Sequence, residues 1–247
     1  MEPMEPLDCP SLDSPARARR TGPADPAINL ENVCAWIPEK NKKLKEMVAL
    51  LEERLRSDPG DFWSWDNLAN LCFSEGFVNE SIGIYKKALE IRPDLAVTHL
   101  RLGIAYYRLG RLDDAVAALE GALKCNPELA MAHYYLGFAH YHGGSPEKSL
   151  SHFRKVREHS PETRIVLYHM AETFLQEARH QEALALLQDL VRFSPDSAAA
   201  WYKMGLALFG LNRNTEAVKA FQEALRCNPQ DKRSENMVDL ITGAPDV

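Results

Sequence analysis

Residues 100–127 read LRLGIAYYRLGRLDDAVAALEGALKCNP. The closing Pro127 belongs to a series: Pro59, Pro93, Pro127, Pro161, Pro195 and Pro229 stand 34 residues apart. Six prolines in step are very hard to obtain by chance, so the stretch is one copy of a repeated unit. With residue 62 as slot 1 of a 34-residue frame, other positions fall into register. Slot 7 holds Leu68, Leu102, Leu136, Met170 and Met204, and slot 8 holds Ala69, Gly103, Gly137, Ala171 and Gly205. Slot 20 holds Ser81, Ala115, Ser149, Ala183 and Ala217, and slot 24 holds Tyr85, Leu119, Phe153, Leu187 and Phe221.

The spacing predicts two helices per unit. Apolar residues in slots 4 to 11 recur at i, i+3 and i+7, and slots 20, 24, 27 and 28 give a second helical face. Slot 15 holds Gly76, Gly110, Gly144, Ala178 and Asn212, mostly residues that tolerate the left-handed conformation closing a helix. Small residues in slots 8 and 20 let two helices approach closely. Proline in slot 32 stops the second helix, because it lacks an N–H and restricts its predecessor. A single hairpin cannot bury both faces, whereas stacked hairpins can.

Leu-Gly in slots 7 and 8, aromatic residues in slots 4 and 11, Ala in 20 and 27 and Pro in 32 resemble the tetratricopeptide repeat (TPR). The resemblance implies an all-α fold, a right-handed superhelical solenoid of five helix-turn-helix repeats at 62–95, 96–129, 130–163, 164–197 and 198–231, with N- and C-terminal capping helices. These units cover 170 of the 247 residues. Two departures stand out. Slot 4 is Trp65 and Trp201 in the outer units but His99, His133 and Leu167 between them. Slot 27 carries Val156 and Leu190 where Ala is usual, which predicts altered packing there.

Residues 1–27 are rich in proline and poor in apolar side chains, so disorder is expected. Their Arg17, Arg19 and Arg20 cluster reads as a solvated charge run, with a targeting element as the competing use. Within 28–61, EKNKKLKEMVALLEERLR (39–56) is amphipathic through Leu44, Met47, Val48, Leu51 and Leu55. That segment is read as a degenerate repeat or capping helix, because Pro38 stands where an aromatic core residue belongs. In 232–247, KRSENMVDLI is expected to form a short covering helix before a free tail.

The chain is 45% hydrophobic with a formal net charge of -6, which removes a global basic footprint for nucleic acid. No apolar run reaches the roughly 18 residues of a membrane span. The opening MEPMEPLDCP lacks the apolar core of a secretory leader. Cys9, Cys34, Cys72, Cys125 and Cys227 form no CxxC pair, so reduced thiols in a cytoplasmic protein are expected.

Chemistry is sought most naturally in HYYLGFAHYHGG, residues 133–144. His133 and His140 are seven apart and share a helical face, whereas His142 lies about 180° round from His133. The three cannot converge on one ion from one helix. A His99/His133/His140 metal site is the sharp alternative to structural histidines. No nucleotide, zinc-protease or nucleophile-elbow motif appears in a suitable context. Neither catalysis, a cofactor nor a metal is therefore expected.

In the family the first helix of each unit lines a concave groove. Carried over by slot, the groove here comprises Arg101, Ile104, Tyr107, Arg108, Tyr134, Tyr135, Phe138, Tyr141, His142, Tyr168, Glu172, Tyr202, Lys203 and Phe209. Tyr134, Phe138 and Tyr141 follow i, i+4, i+7 and are expected to form one aromatic stripe. The family's carboxylate clamp fails in this register: slot 5 of the first unit is Asp66, and the third unit offers Met131 and Tyr135 instead of cations. The asparagine ladder of sugar-transferase TPRs stops after Asn67. The resemblance implies a non-enzymatic scaffold binding a hydrophobic or aromatic protein or peptide segment, as an adaptor, assembly factor or co-chaperone. The alternatives are a regulatory or targeting subunit of an enzyme, or a self-associating oligomer whose groove is filled by its own segment. No nucleic acid or membrane-spanning partner is expected.

Overall fold

The computed structural model describes residues 42–161 and 163–243. Residues 1–27, expected to be disordered, with their arginine cluster, the first part of the degenerate repeat expected over 28–61, and the last four residues of the expected free tail lie outside the described residues. Among those described there are only helices: α1 (Lys42–Ser57), α2 (Phe62–Ser74), α3 (Val78–Ile91), α4 (Ala96–Arg108), α5 (Leu112–Cys125), α6 (Ala130–His142), α7 (Pro146–His159), α8 (Arg164–Gln176), α9 (His180–Phe193), α10 (Ala198–Gly210), α11 (Asn214–Cys227) and α12 (Lys232–Thr242). From α2 to α11 the helices pair, and both first and second helices start every 34 residues. None is long and apolar enough to cross a membrane.

Local chemistry sets the helix ends. Asp61 caps α2 by accepting from the Trp63 N–H, and Ser197 caps α10 by accepting from the Ala200 N–H. Between the helices of each pair, Gly76, Gly110, Gly144, Ala178 and Asn212 all have positive φ. The last two adopt, at a cost, the conformation that glycine adopts freely.

Each pair closes on one contact. Slot 24 inserts its side chain against the backbone of slot 8: a Cβ on Gly103 would lie 2.5 Å from Leu119 Cγ, and one on Gly205 2.5 Å from Phe221 Cε1. Tyr85, Leu119, Phe153, Leu187 and Phe221 are consequently all fully buried, as is every residue of slot 20. The pairs then stack, α3 on α4, α5 on α6 and α9 on α10, while α1 packs on α2 and α12 on α11. The backbones of α7 and α8 stay further apart than at the other stacking junctions, and those of α8 and α9, with Leu190 in slot 27, approach least of the pairs. First helices also touch first helices two along, at α2–α4, α4–α6 and α8–α10, with no comparable approach between second helices. The first helices therefore lie on the inside of the curve.

Slot 4 has a use that hydrophobicity does not show. Trp65 Nε1 donates to the Pro59 carbonyl at 2.9 Å and Trp201 Nε1 to the Pro195 carbonyl at 2.7 Å. His99 Nε2 and His133 Nε2 meet the Pro93 and Pro127 carbonyls at 2.9 and 3.1 Å. Histidine replaces tryptophan here because both offer a ring N–H at the same reach. Leu167 has none.

Candidate functional site on the inner face

The inner face divides into two polar knots and an aromatic wall between them. At one end Asp66, buried on α2, accepts from Arg101 Nη1 at 2.6 Å, Thr98 Oγ1 at 3.0 Å and Asn70 Nδ2 at 3.1 Å. Asn70 Oδ1 in turn accepts from Tyr85 OH at 2.7 Å. A buried carboxylate is stable only when its lone pairs are filled, and these donors from α2 and α4 fill them.

At the other end Glu172 Oε1 lies 2.6 Å from Lys203 Nζ, and its Oε2 lies 3.4 Å from His169 Nδ1. Burial alone would raise the Glu172 carboxyl, but the neighbouring His169 ring and the Lys203 ammonium hydrogen-bonded to it outweigh burial and hold it at about 2. Lys203 also sits over the Tyr168 ring, 5.1 Å from its centre. Gln176 Nε2 donates to Tyr141 OH at 2.7 Å. Burial, followed by the Glu172 charge, raises the Tyr141 phenol, which therefore stays protonated.

Between the knots, rings touch across α4, α6 and α8. Tyr107 meets Tyr135 edge-on at 5.9 Å, Tyr134 meets Phe138 at 4.8 Å, and Phe138 meets His169 at 4.5 Å. Such edge-to-face pairs are favourable beyond the area they bury. One expectation is corrected here. Phe138 is 2% exposed and Tyr107 5%, so neither belongs to an open stripe. His169 of the next first helix and Phe153 cover Phe138, while Tyr134, Tyr135 and Tyr141 remain half-buried on the same helix. Ile104, Tyr168 and Tyr202 are half-buried around the wall. His142, Arg108 and Phe209 are exposed, as are Trp63 (66%), Val97 and Ile165 along the same helices.

The histidines separate as the helical angles predict. His142 stacks near Phe138 at 6.5 Å, and burial lowers its pKa. His133 and His140 face away and converge on His152 of α7, a residue that inspection of α6 alone passes over. His133 Nδ1 lies 3.0 Å from His152 Nδ1, and the His140 ring stacks on His152 at 5.5 Å. Because His133 Nε2 donates to Pro127, its Nδ1 accepts, and His152 Nδ1–H is the donor. No group of three or more His, Cys, Asp or Glu able to hold a metal occurs among the described residues.

A family model for the tetratricopeptide repeat matches residues 100–163 and 168–232, and a second of the same description matches 61–128. The chain is a tetratricopeptide repeat protein. Members of this family bind protein or peptide partners. No curated protein matches the sequence. Among solved structures, this TPR chain is similar to YrrB, described as a TPR protein with an unusual peptide-binding site. The two share 20% identity over 75% of this chain and 96% of YrrB, with a TM-score of 0.69. It is also similar to MamA (22% identity, 68% and 92% covered, TM-score 0.65) and to MamA from Desulfovibrio magneticus RS-1 (17%, 69% and 97%, TM-score 0.65). At these identities the likeness establishes the TPR fold alone.

Two features of the TPR inner face lay beyond sequence reasoning. Thr98 and Tyr85 complete the Asp66 knot, and Arg233 of α12 covers Tyr202, 4.8 Å from its centre. The available signal for the knots was opposite charges on the first helices of successive units, Asp66 in slot 5 with Arg101 in slot 6, and Glu172 in slot 9 with Lys203 in slot 6.

Proposed function

We propose that the inner face binds an extended or helical protein segment through its apolar side chains, and that the chain serves as a non-enzymatic scaffold: an adaptor, assembly factor or co-chaperone. Half-buried Tyr134, Tyr135 and Tyr141, the first of them packed edge-on against buried Phe138, carry this reading. Tyrosine offers large contact area with few rotors and one polar end. The rigid layer beneath lowers the ordering cost of binding. Arg101 and Lys203 are already neutralised by Asp66 and Glu172, which argues against recognition of a strongly acidic tail.

The test is selection from a random peptide library on the full chain. Binders rich in Leu, Ile, Phe or Met are expected, and Tyr134→Ala with Tyr141→Ala should weaken them about tenfold in protein that circular dichroism shows to be still folded at the assay temperature. Phe138 is left intact because its removal would unfold the wall. Binders without apolar anchors, or affinities indifferent to both substitutions, would refute the reading.

A further inference from the structure

Arginines stacked on rings follow a rule in this molecule. Arg92 lies over Phe62, Arg111 over Tyr106, Arg179 over Phe174 and Arg233 over Tyr202, at 4.5 to 5.8 Å from the ring centres. Each of these guanidiniums also meets a carboxylate: Asp94 at 3.1 Å, Asp114 at 2.7 Å, Glu182 and Glu147 at 2.9 and 2.8 Å, and Asp231 at 3.0 Å. The geometry explains the pairing. A ring covers one flat face of the guanidinium and fixes its orientation, which leaves the in-plane N–H edge for an acceptor, and a carboxylate matches that edge with two oxygens.

Arg108 breaks the rule. It lies over Phe73, 4.9 Å from the ring centre, is exposed, and meets no carboxylate among the described residues. It ends α4 directly after Tyr107, the floor of the aromatic wall. The other two inner-face cations brought forward by the sequence, Arg101 and Lys203, are each 2.6 Å from a carboxylate. An approaching segment can therefore complete an ion pair at Arg108 without displacing an existing one.

We infer that Arg108 receives the side-chain carboxylate of an Asp or Glu in the bound segment, set next to the apolar residue that packs on the tyrosines. This rests on the peptide-binding reading above and adds to it a position and a charge. The partner's group is a carboxylate of single charge because the locus is singly charged. His142, in the same slot of the next unit, has its pKa lowered by partial desolvation of the ring among its aromatic neighbours and then by His169, and is neutral at pH 7. A phosphate dianion would find only one cation.

The same library selection separates the two readings. Selected peptides should carry Asp or Glu at a fixed distance from their apolar anchor. Changing that Asp to Asn should weaken binding about fivefold, the upper range for an exposed ion pair. Arg108→Gln should abolish the Asp-over-Asn preference, read as the ratio of the two peptides' affinities for the same variant, and Arg108→Glu should shift selection toward Lys. Apolar binders without acidic enrichment, or a preference that survives Arg108→Gln, overturn the inference and leave the groove reading standing. If acidic selection appears only after Asp25, Glu31 and Glu39 of the full chain are changed to amides, the chain's own carboxylate occupies Arg108 and the inference falls. Absence of any binder takes both readings down.

Discussion

Lys203 of α10 and Glu172 of α8 meet at 2.6 Å across the junction of two helix pairs, with only 15% and 23% of their side chains exposed. The pair ties the inner face together where it is most polar. Lys203→Met leaves the Glu172 carboxylate half-buried without its cation, and should cost about 2 kcal/mol in urea unfolding, below the range for a fully buried pair. Adding Glu172→Gln should recover roughly half. The carboxyl is held at about 2 against an ordinary 4.5, so the unfolded chain takes up the proton first as pH falls. Its stabilisation is complete above about pH 4.5 and is lost as pH falls toward 2. The gap between the native chain and Glu172→Gln should close over that window.

His152 titrates in a different window. Burial, then the neighbouring His133, His140 and Lys148, push its imidazole down from 6.5 to about 4. The folded state thus resists protonation that the unfolded chain accepts, and stability should fall between pH 6.5 and 4. His152→Asn keeps a donor toward His133 Nδ1 but cannot titrate. Its stability profile should be flatter over that range, by ~1–2 kcal/mol. Parallel profiles for the two proteins would rule out His152 as the source.

Two backbone positions should respond in opposite directions. A Cβ on Gly137 would sit inside the Phe153 ring, which is itself fully buried. Gly137→Ala should cost ~1–3 kcal/mol by overpacking. Ala178 holds φ at 54° in a turn where Gly76, Gly110 and Gly144 do the same work without strain. Ala178→Gly should therefore stabilise by about 0.5–1 kcal/mol, relief of left-handed strain exceeding the added chain entropy. Both are read from thermal or urea melts.

The ring N–H of slot 4 separates packing from hydrogen bonding. Trp201→Phe keeps a ring but leaves the Pro195 carbonyl without this donor, and should cost about 1 kcal/mol plus the lost ring area. Trp201→His should recover part of that loss, because His99 and His133 already serve the same carbonyl elsewhere. Equal losses for Phe and His would show that only ring size counts.

The sequence by itself determined the helix pairs, their turns and their stacking order. These rest on interactions within a few residues, or on a strict 34-residue repetition that needs no coordinates to detect. The turn positions were legible because positive φ restricts residue choice, and the close contacts because slot 8 tolerates only Gly or Ala. It also separated His142 from His133, since angular position around one helix follows from spacing alone. Tertiary structure alone decided what each inner-face side chain meets. Phe138 and Tyr107 read as surface until rings 31 and 28 residues further on cover them. Arg101 and Lys203 read as free charges until Asp66 and Glu172 reach them, while Arg108 stacks on Phe73 and meets no carboxylate among the described residues. Those outcomes depend on the distance between neighbouring helices, which the bulk of slots 8, 24 and 27 fixes only when the whole stack is assembled.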